Sequence, residues 1–71
     1  MTYEIERRKY ERPTLDGSIV TREFAIKQYG PESYCVVNCP GGIIAGYETL
    51  SAARRGLSAK MAKGGNWKRV A

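Results

Sequence analysis

The sequence contains no histidine and only two cysteines among its 71 residues. Without imidazole, neither a histidine-ligated metal site nor a Ser–His or Cys–His nucleophile can form. Two cysteines alone fall short of the ligands that a structural zinc ion takes. No two acidic residues are placed as a pair of general acid and base. We therefore expect a protein that is not an enzyme and that uses no metal and no cofactor.

The sequence also lacks a long apolar run and a pair of cysteines spaced for a bridge. A membrane-spanning helix needs about 20 consecutive apolar residues. Cys35 and Cys39 fall in a segment that reads as a strand, where four residues span ~13 Å, whereas a disulfide joins Cα atoms roughly 4.4–6.8 Å apart. Two free thiols are typical of a reducing compartment, and residues 1–9 are too charged for a signal peptide. We expect a cytoplasmic protein that does not enter a membrane.

Acidic residues are absent from the last third of the chain. Residues 1–48 carry six basic and seven acidic side chains, whereas residues 49–71 carry only basic ones. The formal net charge of +5 therefore comes from the C-terminal segment. Such asymmetry indicates a surface for an anionic partner. The basic residues of this segment are Arg54, Arg55, Lys60, Lys63, Lys68 and Arg69.

What the first two thirds do contain is a series of β-prone segments. Apolar and acidic residues alternate from Tyr3 to Glu6, which predicts a short first strand. This strand runs into a charged stretch and is broken at Pro13. Asp16-Gly17 then predicts a hairpin into a half-buried strand over residues 18–29. Residues 34–38 are apolar on both faces, as in a central strand, and the following Pro-Gly-Gly predicts a tight turn into residues 43–47. The face of the second strand that carries its apolar residues holds Val20, Arg22, Phe24, Ile26 and Gln28.

The apolar period changes to that of a helix after residue 48. Thr49 or Ser51 suits the N-cap, and a narrow apolar stripe follows at the helical spacing. Gly64-Gly65 ends the helix, and residues 66–70 predict a last edge strand in which Trp67 and Val70 close the core. We expect a single α+β domain over residues 1–71, with an antiparallel sheet of three to five strands packed against one helix in the C-terminal half. The element order is β-β-β-β-α-β, or β-β-β-α with an extended tail. The stripe consists of Leu50, Ala53, Leu57 and Met61.

The basic residues of the predicted helix have no acid three or four positions away, so no neighbour on the helix neutralises them. Arg54 and Arg55 lie in the first turns, where the helix dipole disfavours cations, and local helix stability therefore does not explain them. Alanine, glycine and serine between the basic residues let a partner approach closely. The pattern fits a phosphate backbone or an acidic protein groove, and also a solvated face that only keeps the protein soluble.

A second basic group lies near the N-terminus and surrounds Tyr10. Basic residues interleaved with aromatic ones are typical of surfaces that stack single-stranded nucleic acid, although neighbouring glutamates dilute the charge here. For Tyr34 and Tyr47 we favour a position at the rim of the core. The basic residues of this group are Arg7, Arg8, Lys9 and Arg12.

Gly56 lies in the middle of the predicted helix, where glycine costs about 1 kcal/mol relative to alanine. Two interpretations stay open. Gly56 allows the helix to cross close over the sheet, or it marks the place where a partner approaches.

Residues 46–55, Gly-Tyr-Glu-Thr-Leu-Ser-Ala-Ala-Arg-Arg, resemble the junction between a strand and a Thr-Leu-x-x-Ala helix in many small viral and prokaryotic domains. Small phage-encoded inhibitors of host proteins, including anti-CRISPR and RNA-polymerase-binding types, are often single α+β domains of this length. The resemblance covers ten residues without a functional motif, and it implies a phage-type accessory protein.

These observations lead to two expected functions. In the first, the helix and the C-terminal segment bind the phosphate backbone of a nucleic acid, together with Arg7, Arg8 and Lys9. In the second, the same basic face docks on an acidic surface of a host protein, as a phage-type inhibitor or accessory protein would. An exposed last strand around Trp67 also predicts a possible homodimer through edge pairing.

Overall fold

The structure, a computed structural model, describes residues 2–71 and has one antiparallel sheet with one helix packed on it. This arrangement confirms the predicted α+β class, and its element order is the longer of the two that the sequence allows. Within the described residues the strands lie side by side in the order β4-β3-β2-β1-β5. The elements are β1 (Tyr3–Pro13), β2 (Ile19–Gly30), β3 (Ser33–Asn38), β4 (Ile43–Tyr47), α1 (Leu50–Lys63) and β5 (Lys68–Arg69).

β1 is longer than the short strand that the sequence predicts, because its charged middle pairs with β2 all the way to Pro13, which lies opposite Ile19. The connecting turn confirms the predicted hairpin. Gly17 has φ +88°, a value that glycine adopts without steric cost. Asp16 accepts hydrogen bonds from the Thr14 hydroxyl and the Ser18 amide. These bonds, led by the one from Thr14, lower the pKa of Asp16 to about 2.

The hairpin of β1 and β2 extends beyond the rest of the sheet. β3 pairs with β2 only from Phe24 onward, and β5 pairs with β1 only at Tyr10 and Glu11. Residues 12–21, which we call the arm, therefore project from one end of the molecule. The longest dimension is 44 Å, against 20 and 18 Å for the other two.

The core lies between α1 and one face of the sheet. Because side chains alternate along a strand, every second residue of β1 and β2 faces the helix, and the apolar stripe of α1 meets them. Tyr10 and Phe24 pack edge to face with ring centroids 6.1 Å apart, a favoured aromatic geometry. The buried residues of this cluster are Tyr10, Phe24, Ile26, Val36, Ala53, Leu57 and Met61.

Both ends of the helix follow from local sequence, and Gly64 is the C-cap, as predicted, with its amide donating to the carbonyl of Lys60. Thr49 is the N-cap, and its hydroxyl accepts a hydrogen bond from the Ala52 amide over 3.1 Å. Gly56 stands against the ring of Tyr47, and a Cβ at this position would overlap that ring. Of the two interpretations of Gly56, the structure supports close packing of the helix over the sheet. Tyr34 and Tyr47 both pack against the core, as expected.

The C-terminal segment differs in part from the prediction. β5 contains only Lys68 and Arg69, which pair in regular register with Glu11 and Tyr10. Beyond them the pairing becomes irregular, because the Val70 amide donates to the carbonyl of Lys9 while the Lys9 amide donates to the carbonyl of Ala71. Trp67 packs against the core as predicted. Val70 does not close the core, since it lies beyond the strand and stays 44% exposed.

Among residues 2–71, no helix combines the length and the apolar character that a membrane crossing requires. Cys35 lies in β3 and Cys39 in the turn that follows it, and both are free and half-buried.

Candidate nucleic-acid interface

An ion pair across the sheet–helix boundary neutralises one of the predicted contact residues. Arg54 donates from Nε to Oε1 of Glu6 over 2.6 Å, and Arg8 donates from Nε to Oε2 of the same carboxylate over 2.7 Å. Burial of the Glu6 carboxyl raises its pKa, but the hydrogen bonds from Arg54 and Arg8 outweigh this effect and leave the pKa lowered. No neighbour on the helix neutralises Arg54, as the sequence indicates, but an acid from β1 does.

The predicted N-terminal basic group is divided between the two faces of the sheet. Arg8 faces α1 and is only 7% exposed, and its Nη1 also donates to the hydroxyl of Ser58 over 3.1 Å. Arg7 points away from α1 and donates to Glu4 and Glu23, each over 2.6 Å. These hydrogen bonds raise the pKa of Arg7. Arg7 is thus paired with two acids on its own face of the sheet, and Arg8 is too buried to belong to an open contact surface.

Two more predicted residues face away from the helix and opposite acids. Lys9 lies across from Glu23 in the β1–β2 register, and Lys68 lies across from Glu11 in the β1–β5 register. Opposite charges at facing strand positions attract each other, so both lysines are less available to a phosphate. They form no ion pair within 4 Å among residues 2–71.

Arg55 and Arg69 are exposed but do not line the basic cleft described below. Arg55 lies on the solvent side of α1, away from the buried Ala53 and Leu57. Arg69 lies opposite Tyr10 in the register, on the helix side of the sheet, and its Nε donates to the carbonyl of Ala71 over 3.2 Å.

The remaining helix cations, Lys60 and Lys63, lie in the last turn of α1. The helix begins near the end of β4 and runs toward the arm, so its C-terminus brings these lysines close to the base of the arm. The negative end of the helix dipole favours them there. Both side chains are exposed, and neither has an ion-pair partner among residues 2–71.

Beside this end of α1 lies a cleft of about 280 Å³, which we call the basic cleft. It lies between the end of α1, the helix-facing side of strands β2, β3 and β4, and the segment that precedes β5. Arg22 and Lys60 supply two exposed positive charges, and no acid lines the cleft. Its lining residues are Arg22, Phe24, Asn38, Ile44, Lys60, Met61, Gly64 and Trp67.

Arg12 fixes the position of Trp67 at one side of the basic cleft. The guanidinium carbon of Arg12 lies 5.0 Å from the centre of the Trp67 ring, within the range of a cation–π contact. Nη1 of Arg12 also donates to the carbonyl of Gly64 over 3.5 Å, one of the free carbonyls at the helix end. Arg12 therefore connects the arm to the end of α1.

A second hollow lies along the arm and is larger, at about 790 Å³. It is an open trough under the hairpin turn, and its two charged residues, Arg12 and Asp16, have opposite signs. It therefore has no net attraction for an anion, and the basic cleft is the better candidate despite its smaller volume.

Sequence reasoning did not assign Arg22, Asn38 or Trp67 to a contact surface. The alternation of side chains along the second strand places Arg22 on the same face as Phe24. Only this pattern in the sequence indicates that Arg22 lies beside the core. The sequence predicts Trp67 in the core and in an edge strand that pairs in a homodimer, but not at a ligand-binding surface. The cleft forms between separate elements, and only their packing brings these residues together.

Comparisons of the chain with protein-family models, with curated proteins and with solved structures found no match.

Proposed function

We propose that this protein binds nucleic acid without catalysing a reaction, and that the basic cleft and the last turn of α1 form the contact. The observation that carries the proposal is the acid-free surface on which Arg22, Lys60 and Lys63 remain without ion-pair partners within residues 2–71. Each phosphate that such a cation neutralises releases condensed counterions, which favours binding.

The charge of the whole molecule supports the same surface. Glu4, Glu6 and Glu23 are occupied by Arg7, Arg8 and Arg54. Of the other acids, Glu32 lies in the turn after β2 and Glu48 just before α1, both at the end opposite the arm. Glu11 lies opposite Lys68 on the sheet face away from α1, and Asp16 lies in the turn of the arm. The cations that line the basic cleft therefore have no acid beside them in the cleft, and their field attracts an approaching polyanion.

The test is the salt dependence of binding to a nucleic acid, compared between two variants with equal loss of charge. Lys60→Gln/Lys63→Gln removes two cations beside the basic cleft, and Lys9→Gln/Lys68→Gln removes two from the opposite face. The measured quantity is the slope of log Kd against log salt concentration. In the first variant this slope should be smaller than in the wild type by about 1.4–1.8, which corresponds to two lost phosphate contacts. The second variant should keep the wild-type slope. Equal effects of both variants would contradict the proposed surface.

The alternative is a phage-type inhibitor or accessory protein whose basic face docks on an acidic host protein. The exposed apolar tip of the arm favours this second function, since Leu15 is fully exposed and Ile19 is 57% exposed. Apolar side chains gain nothing from contact with phosphates, whereas a protein partner can bury them. In this case the protein should recover a stoichiometric partner from nuclease-treated lysate, and Leu15→Ser should lose it. Loss of the partner upon nuclease treatment would favour nucleic acid instead.

The homodimer stays a prediction. The outer edge of β5 is two residues long, and both residues are positively charged, so it offers less for edge pairing than the sequence suggested. Sedimentation equilibrium over a range of protein concentrations tests it.

A further inference from the structure

The basic cleft has two regions of different chemistry. Phe24 and Met61, which are 5% and 6% exposed, form an apolar floor, and the half-buried ring of Trp67 stands beside them. Arg22 and Lys60 stand as charges at the exposed rim. A phosphate backbone alone would contact the rim and leave the floor empty, whereas a ligand that is both flat and anionic would contact both regions.

We propose that the basic cleft receives one unstacked base of a single-stranded nucleic acid, while Arg22 and Lys60 hold the phosphates on either side. This inference rests on the proposed function and deepens it, because it names the strand form and the part of the nucleotide that enters. The volume of about 280 Å³ lies just below the range of roughly 300–1,000 Å³ for small-molecule pockets. It is large enough to hold one base.

Stacking on an aromatic ring supplies the attraction for the base. Every base has a flat π-face, and aromatic side chains bind it largely without regard to sequence. Arg12 over one face of Trp67 and the packing of this side chain against the core hold the indole in place, and the base stacks on the part of the ring that lines the cleft. The ring is thus positioned before the ligand arrives, which reduces the ordering cost of binding.

Asn38 is an uncharged polar residue among those that line the cleft. The residue is half-buried, and among residues 2–71 no amide atom of Asn38 is both buried and without a hydrogen-bond partner, so the amide is accessible to a ligand. An amide offers donors and an acceptor, which is what the edge of a base requires. In a duplex that edge is paired and the base is stacked, so a duplex cannot use the cleft.

Trp67 is the only tryptophan of the chain, so its fluorescence reports directly on the cleft. The wild-type protein is titrated at low salt with a single-stranded oligonucleotide of about 12 nucleotides. A second strand of equal length and charge carries abasic sugars at every position, and a duplex of the same sequence is the third probe.

The proposal expects quenching of Trp67 by the normal strand and weak or no quenching by the abasic strand. Affinity for the abasic strand should fall by about tenfold, the loss of one stacked base. Asn38→Ala should weaken binding of the normal strand and leave that of the abasic strand unchanged. Because the abasic comparison uses the unaltered protein, it does not depend on a variant that folds.

Equal affinity for the normal and abasic strands, without quenching that depends on the base, would overturn base insertion and leave phosphate binding intact. Stronger quenching by the duplex than by the single strand would also overturn it. No binding of any probe would contradict the proposed function itself.

Discussion

Arg54 and Glu6 form an ion pair of 2.6 Å that connects α1 to β1, although 48 positions separate them in the chain. The same carboxylate holds Arg8, whose side chain is 8% exposed. Glu6 is therefore shared between a buried cation under the helix and an exposed cation on it. This one acid removes Arg54 from the set of cations available to a partner.

Glu6→Gln should lower the free energy of unfolding by about 2 kcal/mol. Loss of one partner from a fully buried pair costs about 3–5 kcal/mol, and the effect is smaller here because glutamine keeps an acceptor oxygen for Arg8. Urea unfolding followed by circular dichroism measures it. Glu4→Gln, which removes an exposed partner of Arg7, should have little effect because exposed ion pairs contribute little. A loss as large for Glu4→Gln would contradict the special role of Glu6.

The stability difference between the wild type and Glu6→Gln should depend on pH. The folded-state pKa of Glu6 lies below its ordinary value of 4.5, so the ionised carboxylate stabilises the fold above that value. This contribution is lost as the pH falls through the folded pKa. Unfolding curves measured from about pH 7 to about pH 3 should show the two proteins converging below about pH 4.5. A difference that stays constant over this range would show that Glu6 acts through its shape alone.

Gly56→Ala should destabilise the protein, although alanine is the better helix former. Alanine gains about 1 kcal/mol of helix propensity, but its Cβ overlaps the ring of Tyr47, and overpacking of this kind costs roughly 1–3 kcal/mol. We expect a net loss in urea unfolding.

The matched control for Gly56→Ala is the same change in a Tyr47→Ala background. With the ring removed, the substitution should stabilise the protein by about 1 kcal/mol. A loss in both backgrounds would show that Tyr47 is not the reason for the glycine.

The fold could be predicted from the sequence where short-range signals decide it. Asp16-Gly17 marks the hairpin, Thr49 caps the helix, and the stripe through Leu57 identifies the buried helix face. The length of β1 was underestimated because its charged residues hide the alternation between the two faces. Arg8 is buried only because Glu6 and Ser58 receive its hydrogen bonds, and no local pattern contains that information.

The candidate site was less predictable than the fold. The excess of charge after residue 48 identifies an acid-free segment, but the structure separates the basic residues of that segment. Arg54 is paired with Glu6, Lys68 faces Glu11, and only Lys60 and Lys63 stand beside the cleft. The partners that decide this come from β1, far away in the sequence. Charge counted along a helix cannot account for acids on another element.

Arg12→Gln should loosen Trp67 without unfolding the protein. The substitution removes the cation above the ring and weakens the contact with the Gly64 carbonyl. A cation–π contact of this exposure is worth about 0.5–1 kcal/mol, so the loss of stability should be of that size. Trp67 fluorescence should shift to longer wavelength as water reaches the indole. Arg55→Gln removes an equal charge elsewhere on α1 and should leave the emission unchanged. An unchanged emission in Arg12→Gln would contradict the role of Arg12.

The central claim is that nucleic acid binds at the basic cleft, and chemical-shift mapping by NMR locates the contact directly. A single-stranded oligonucleotide is added to the labelled protein at low salt. The account predicts the largest changes at Arg22, Asn38, Lys60 and the indole N–H of Trp67, and small changes at Lys9 on the opposite face. Changes that concentrate around Lys9 and Lys68, or no changes at all, would contradict it.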